Sequence, residues 1–284
     1  APRTLDTAAV LGAASSLALD GDHVYVLGER SGPPGTLNVF DASDPSMLRS
    51  TAVVQLHGAA VSVAAADGVA YVADSVGGLR VFDAGAPGGP IELGSLPGVV
   101  PARMAAADGH VFAVRAEGDL AIIDASDPER LGVVASLPLR TQALAVPACD
   151  GLHLYVAEAG PVLDQMHFGE LAEDLVVVDV SDPLDPTRVR LVDLTVGGAK
   201  AYPRDIVVGG GRAFVASGTM SWRFGAQGFG LFVASLDRRS SDPALWRIRM
   251  PDPVTGVDVL GGHLVVAAGD AGLMVVDPRP PADD

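Results

Sequence analysis

Arg103, Arg140 and Arg204 stand at or just before the openings of apolar runs in a chain with only 19 basic residues. A guanidinium is a planar fork that grips a carboxylate at two points, so three of them at equivalent places favour an anionic or carboxylate-bearing ligand. The residues that open those runs are Ser15, Ser62, Arg103, Gln142, Asp205 and Gly256, polar and varied where the runs themselves are small and apolar. Two long insertions, Glu158 to Asp174 and Ser217 to Gly230, collect large side chains that are scarce elsewhere: Met166, His167, Phe168, Met220, Trp222, Arg223, Phe224 and Phe229. Aromatic and methionine cover beside a few polar groups suits a ligand pocket. His167 or Tyr202 is the candidate to move a proton there, were the chain an enzyme. The plainer alternative pairs the arginines with Asp205 and Asp74 and packs the aromatics onto each other.

Other chemistry is poorly served. The chain has no GxSxG elbow, no HExxH and no phosphate-binding glycine loop. The GxxGxG at Gly225, Gly228 and Gly230 joins no strand to a helix, so it is loop and not a dinucleotide fingerprint. His167 and Glu170 make a lone HxxE. His23, His110, His153 and His263 recur at one place in a repeat and therefore read as turn residues, leaving His57 and His167, too few for a metal centre. Repeated aspartates lack the DxDxDG pattern of a calcium loop. No cofactor or metal is expected. A single cysteine, Cys149, forms no disulfide within the chain. With 35 acidic side chains the net charge is −16, which repels nucleic acid and anionic lipid. No stretch reaches the about 18 uninterrupted apolar residues of a membrane span.

The elements that position these residues are repeated. An apolar run ending in aspartate recurs as Leu37 to Asp41, Leu79 to Asp83, Leu120 to Asp124, Leu175 to Asp179 and Leu273 to Asp277, with a sixth copy, Leu231 to Ser235, lacking the aspartate. Before each lies an Asp-Gly or Gly-Gly pair and a second apolar run, such as Asp20-Gly21 then HVYVLG and Asp108-Gly109 then HVFAV. Short β-branched and aromatic runs bounded by Asp-Gly are hairpins. After most of these aspartates comes a Ser-Asp-Pro turn, as at Ser43, Ser126 and Ser181, in which aspartate and serine cap local amides; blade two departs with Gly85-Ala86. A further strand follows. Four strands repeating every ~40 to 55 residues are propeller blades.

The expected fold is therefore all-β: one domain, a six-bladed β-propeller of four-stranded blades, at about 12–57, 58–98, 99–139, 140–196, 197–251, and 252–278 plus 4–11. In the last, the N-terminal strand Leu5 to Leu11 would supply the missing outer strand beside Leu273 to Asp277 and close the ring. The LxVxD run, the DGxxYVA hairpin and the DxSDP turn resemble the LVIVD-repeat family of bacterial β-propellers. That resemblance implies a propeller, often extracytoplasmic (periplasmic, secreted or at the cell surface), and no shared chemistry. In a blade whose strands run a to d, the b-to-c and d-to-a loops share one face, called upper, and both long insertions are b-to-c loops, in blades four and five. Three functions stay open: a monomeric binding propeller for a small anionic molecule or a protein partner, with Arg103, Arg140, Gln142, Arg204, Asp205, Met166, His167, Trp222, Arg223 and Phe224 as its site; a lyase, isomerase or hydrolase on such a molecule; or an interaction scaffold.

Overall fold

The computed structural model describes residues 8–29, 33–44, 46–83, 85–86, 89–116, 118–139, 146–157, 174–197, 199–201, 203–218, 230–236, 244–260, 263–268 and 273–279. They form six blade sheets in chain order and one two-stranded ribbon, all antiparallel, and the fold is a six-bladed β-propeller. Blade one holds β1 (Ala13–Asp20), β2 (His23–Glu29), β3 (Thr36–Asp41) and β4 (Arg49–Gln55). Blade two holds β5 (Ala60–Ala66), β6 (Val69–Asp74), β7 (Gly78–Asp83) and β8 (Ile91–Leu96). Blade three holds β9 (Arg103–Ala107), β10 (His110–Val114), β11 (Asp119–Asp124) and β12 (Gly132–Pro138), with a 3-10 turn at Pro128–Arg130. In blade four are β13 (Val146–Cys149), β14 (His153–Ala157), β15 (Asp174–Asp179) and β16 (Thr187–Asp193), followed by a two-stranded ribbon, β17 (Thr195–Val196) and β18 (Ala199–Lys200). Blade five has β19 (Pro203–Gly209), β20 (Arg212–Ser217), β21 (Gly230–Ser235) and β22 (Leu245–Ile248); blade six has β23 (Val254–Leu260), β24 (His263–Ala268) and β25 (Leu273–Val276).

The chain divides into two compact units, β1 to β12 and β13 to β25. Within each, the b and c strands are apolar throughout because both of their faces are covered. In blade two, Ala70, Val72 and Phe82 pack with Tyr25, Leu27, Leu37 and Val39 of blade one. Their alternates Tyr71, Ala73, Leu79 and Val81 pack with Met104, Val111, Ala113, Ala121 and Ile123 of blade three. The second unit repeats this scheme: Val215, Phe232 and Ala234 meet blade four, and Phe214, Ala216, Leu231 and Val233 meet blade six. A period of two with both faces covered yields the unbroken LVVVD-type run.

The turns form as their residues dictate. Asp67 and Asp108 hold φ of 55° and 49°, followed by Gly68 and Gly109 at 79° and 70°. Two consecutive positive φ values make the hairpin turn that matches strand twist. At the other end of each repeat the terminal aspartate caps the next turn: Oδ1 of Asp41, Asp124 and Asp179 accepts from the amides of Ser43, Ser126 and Ser181 at 2.9, 3.0 and 2.9 Å. The Ser126 and Ser181 hydroxyls add bonds of 2.6 Å to the same oxygens. These carboxylates are structural, as expected.

The closure at the N-terminus is not carried by the described residues. Residues 5–7 lie outside them, Ala8 to Leu11 form no ladder, and the sixth sheet has three strands among the described residues.

Sister turns also permit a controlled comparison of two tyrosines. In blade four the Tyr155 hydroxyl donates to Asp150 Oδ2 at 2.8 Å, and Asp150 Oδ1 accepts from the amides of Leu152 and His153 at 3.1 and 2.8 Å. In blade one the matching Asp20 turns to the neighbouring hairpin, where its Oδ2 accepts from Gly68 N at 2.5 Å. The Tyr25 hydroxyl is left buried without a partner among the described residues. Burial above all, and then the charges of Asp20 and Asp83, push its pKa up to about 12. A phenol that stays neutral in the folded protein while the unfolded chain ionises above pH about 10 loses its stabilising contribution as pH rises from there through about 12. Tyr25→Phe is expected to raise stability by about 1 kcal/mol and flatten the alkaline limb, because an unmet buried hydroxyl is costly. Phe112 and Phe214 already occupy the same position. Tyr155→Phe is expected to lose about 1 kcal/mol. Urea midpoints of the two variants check this, and a loss in both would refute it.

Candidate functional site at the upper ends of the inner strands

Four inner strands break register at their upper ends: between Ala14 and Ser16, Ala60 and Ser62, Pro203 and Asp205, and Val254 and Gly256. Each break is a β-bulge whose extra residue is Ser15, Val61, Arg204 or Thr255. A bulge re-aims its side chains and is a feature of sheet rims and functional sites. Counting from the residue opposite each LxVxD terminus, the ladders place Ser16, Ser62, Arg103, Val146, Asp205 and Gly256 at one structural position. Ser16 thus takes the place expected for Ser15, and Val146 that expected for Gln142. The bulge adds a residue that composition does not reveal, and the β13 ladder sets Val146 opposite Ala157.

Arg204 occupies the bulge of β19 and is exposed. Its side chain lies across Gly218, where a Cβ would stand 2.9 Å from Arg204 Nε. Gly218 directly follows β20, so this arginine sits at the root of the blade-five insertion. Asp205 beside it is committed to the backbone: Oδ1 accepts from Ile206 N and Oδ2 from Val257 N, each at 3.0 Å. The second bond crosses from β19 to β23 and ties two inner strands together. Asp205 thus anchors the rim beneath the exposed Arg204. In the first unit, Arg103 is exposed at the start of β9 and its Nη1 donates to Ala102 O at 3.3 Å. Ser62 is buried, and its hydroxyl has no partner among the described residues. Arg140, Gln142, Met166, His167, Tyr202, Trp222, Arg223 and Phe224 lie outside the described residues.

Asp74, the alternative partner for the mouth arginines, pairs instead with Arg80, Nη1 to Oδ2, at 3.3 Å. It also accepts from the amides of His57, Val76 and Gly77 at 2.6, 2.9 and 3.0 Å. Burial pushes the Asp74 carboxyl up, but the three amides and the Arg80 charge outweigh it and hold the pKa below the ordinary value. Arg80 continues the network to Glu92, with Nε and Nη2 donating at 3.0 and 2.6 Å, and its guanidinium stacks 4.8 Å from the Phe82 ring centre. Reading the motifs one at a time misses this triad. The signal that finds it is the second residue of LxVxD, which is Ala121, Val176, Phe232 and Met274 in four repeats but Asn38 and Arg80 in the other two. Among the described residues no three metal-ligating side chains gather.

Six repeated sheets, four of them with a bulged inner strand at a varied rim, define a β-propeller, a scaffold that carries many functions. The LVIVD repeat matches residues 57–97, 171–193 and 253–277, which fall in blades two, four and six. No curated protein matches the chain. Among solved structures, the β-propeller domain of Cps50 (Swd1) from Myceliophteria thermophila aligns with TM-score 0.65 at 12% identity, over 94% of this chain and 84% of that one. A functionally unknown protein from Desulfotomaculum acetoxidans aligns with TM-score 0.64 at 12% identity, over 95% and 91%. BamB from Moraxella catarrhalis aligns with TM-score 0.57 at 12% identity, over 96% and 85%. Likeness at this identity establishes the fold alone.

Proposed function

We propose that this propeller binds a small anionic or carboxylate-bearing molecule on the upper face of its second unit, at the root of the blade-five insertion. The observation that carries the proposal is the placement of Arg204: a bulge sets it at the exposed rim of β19, with its side chain along Gly218 at the root of the insertion. A planar guanidinium so placed takes a carboxylate in a two-point grip. Arg140 and Arg223 would add charge, and Met166, Trp222 and Phe224 apolar cover. His167 and Tyr202, the candidates for proton transfer, lie outside the described residues, and binding is the reading that Arg204 supports. An extracytoplasmic location agrees with the repeat type and is a proposal of the same standing.

A thermal-shift panel of mono- and dicarboxylates and inorganic phosphate tests the site, because a ligand that binds the folded state raises its melting temperature. With the best binder of that panel, Arg204→Ala is expected to weaken affinity by about 1 kcal/mol or more and His110→Ala, at the first hairpin turn of blade three, to leave it unchanged. No shift from any anion, or equal binding by Arg204→Ala and the parent, would sink the proposal.

A further inference from the structure

Blade one has a polar strip where its sister blades are apolar. Thr36 and Asn38 on β3 are 2% and 1% exposed, on the face turned away from blade two. Each finds its partners in backbone. The Leu11 amide donates to Asn38 Oδ1 at 2.9 Å, and Thr36 Oγ1 donates to the Leu11 carbonyl at 2.6 Å. The Asn38 amide group donates to Val26 O at 3.2 Å and to Thr36 Oγ1 at 3.1 Å, which fixes its orientation. Gly28 completes the slot, since a Cβ there would lie 2.1 Å from the Leu11 carbonyl oxygen.

We propose that Gly28, Thr36 and Asn38 form a clasp for an extended backbone, and that its occupant is the chain's own segment around Leu11. The slot offers one acceptor to an amide, one donor to the same residue's carbonyl, and a missing side chain where that carbonyl approaches. That set reads main chain and no particular side chain, and Leu11 itself is 47% exposed. The clasp does what an apolar residue at Asn38 could not. It sets where the chain enters β1, two residues ahead of a strand whose own register breaks between Ala14 and Ser16. A slip of one residue would turn every β1 side chain to the wrong face. The buried polar pair is thus retained for register, the best-attested use of such groups.

The full chain carries the test, by hydrogen exchange followed residue by residue. Asn38→Met places in blade one the residue that blade six has at the same position, so the fold accepts it. Leu11 amide exchange is expected to speed at least tenfold while the β2 and β3 amides keep their protection. Gly28→Ala, which fills the slot, is expected to release Leu11 to the same degree, and the double variant no further. Unchanged Leu11 exchange in both single variants would overturn the proposal. So would acceleration spread evenly over β1 to β4, which would make the polar pair ordinary core.

Discussion

Replacing Asp74 by alanine is expected to cost about 3–5 kcal/mol, since it leaves the Arg80 guanidinium buried without its deeper partner. Three backbone amides, those of His57, Val76 and Gly77, would lose their acceptor in the same step. The side chains of Asp74 and Arg80 are 0% and 4% exposed, so water cannot replace what is removed. Glu92, at 36% side-chain exposure, remains solvated and gives Arg80 only part of its compensation. Arg80→Met matches the apolar residue of a sister repeat and leaves Asp74 its three amides, so it is expected to cost less. Added to Asp74→Ala, it should recover part of the loss, because it removes a buried guanidinium left with Glu92 as its sole carboxylate among the described residues. Urea midpoints of the three variants check this order. An Asp74→Ala protein as stable as the parent would refute the account.

The same group predicts the acid limb. Asp74 is held below the ordinary carboxylate value in the folded state, and so is Glu92, chiefly by its hydrogen bonds from Arg80. A carboxylate whose pKa is lowered on folding contributes stability that is present above its unfolded value of about 4 and is lost as pH falls through the folded value. The parent protein should therefore lose stability steeply below pH about 4, and Asp74→Ala more gently.

What the sequence discloses follows from what its repeats share. Leu79-Arg80-Val81-Phe82-Asp83 and its copies reveal strands, blade count and turn caps, because each feature is written several times and every copy checks the others. Ser16 stands where Ser15 is expected because a bulge inserts one residue into an otherwise regular run and changes no composition. Asn38 and Arg80 were visible as polar departures at an apolar position. Their partners Leu11, Asp74 and Glu92 were not, since partnership needs the sheet register. At the site, Arg204 was legible as a cation near the rim, while the role of Asp205 as a tie to Val257 was hidden: the two are 52 residues apart. The insertions of blades four and five have no copy elsewhere in the chain, so internal comparison says nothing of their conformation.

Gly94 carries the second large effect, and it arises from shape alone. The residue lies in β8, the outer strand of blade two, where a glycine is otherwise a poor choice because it contributes no side chain to pack. Its reason is the turn at Pro128–Arg130 in blade three, whose Pro128 carbonyl oxygen would stand 1.9 Å from a Cβ at Gly94. A backbone oxygen cannot swing aside as a side chain can, so the turn or the strand must move. The turn is itself pinned: Asp127 Oδ1 accepts from Glu129 N at 3.1 Å, and Arg130 N donates to Asp127 O at 2.9 Å. Moving β8 instead would disturb its ladder with β7 on either side of the bulge at Val81 and Phe82. Gly94→Ala is therefore expected to destabilise by about 2–3 kcal/mol and Gly94→Val by more, the range of overpacked sites without room to relax. Gly132→Ala, in the outer strand of blade three with nothing within 4 Å of its Cβ, is the control and should be near neutral. Both are outer-strand glycines, so a general loss of chain flexibility would affect them alike, and only a clash separates them. Equal urea midpoints for Gly94→Ala and Gly132→Ala would mean that blades two and three do not approach at this point.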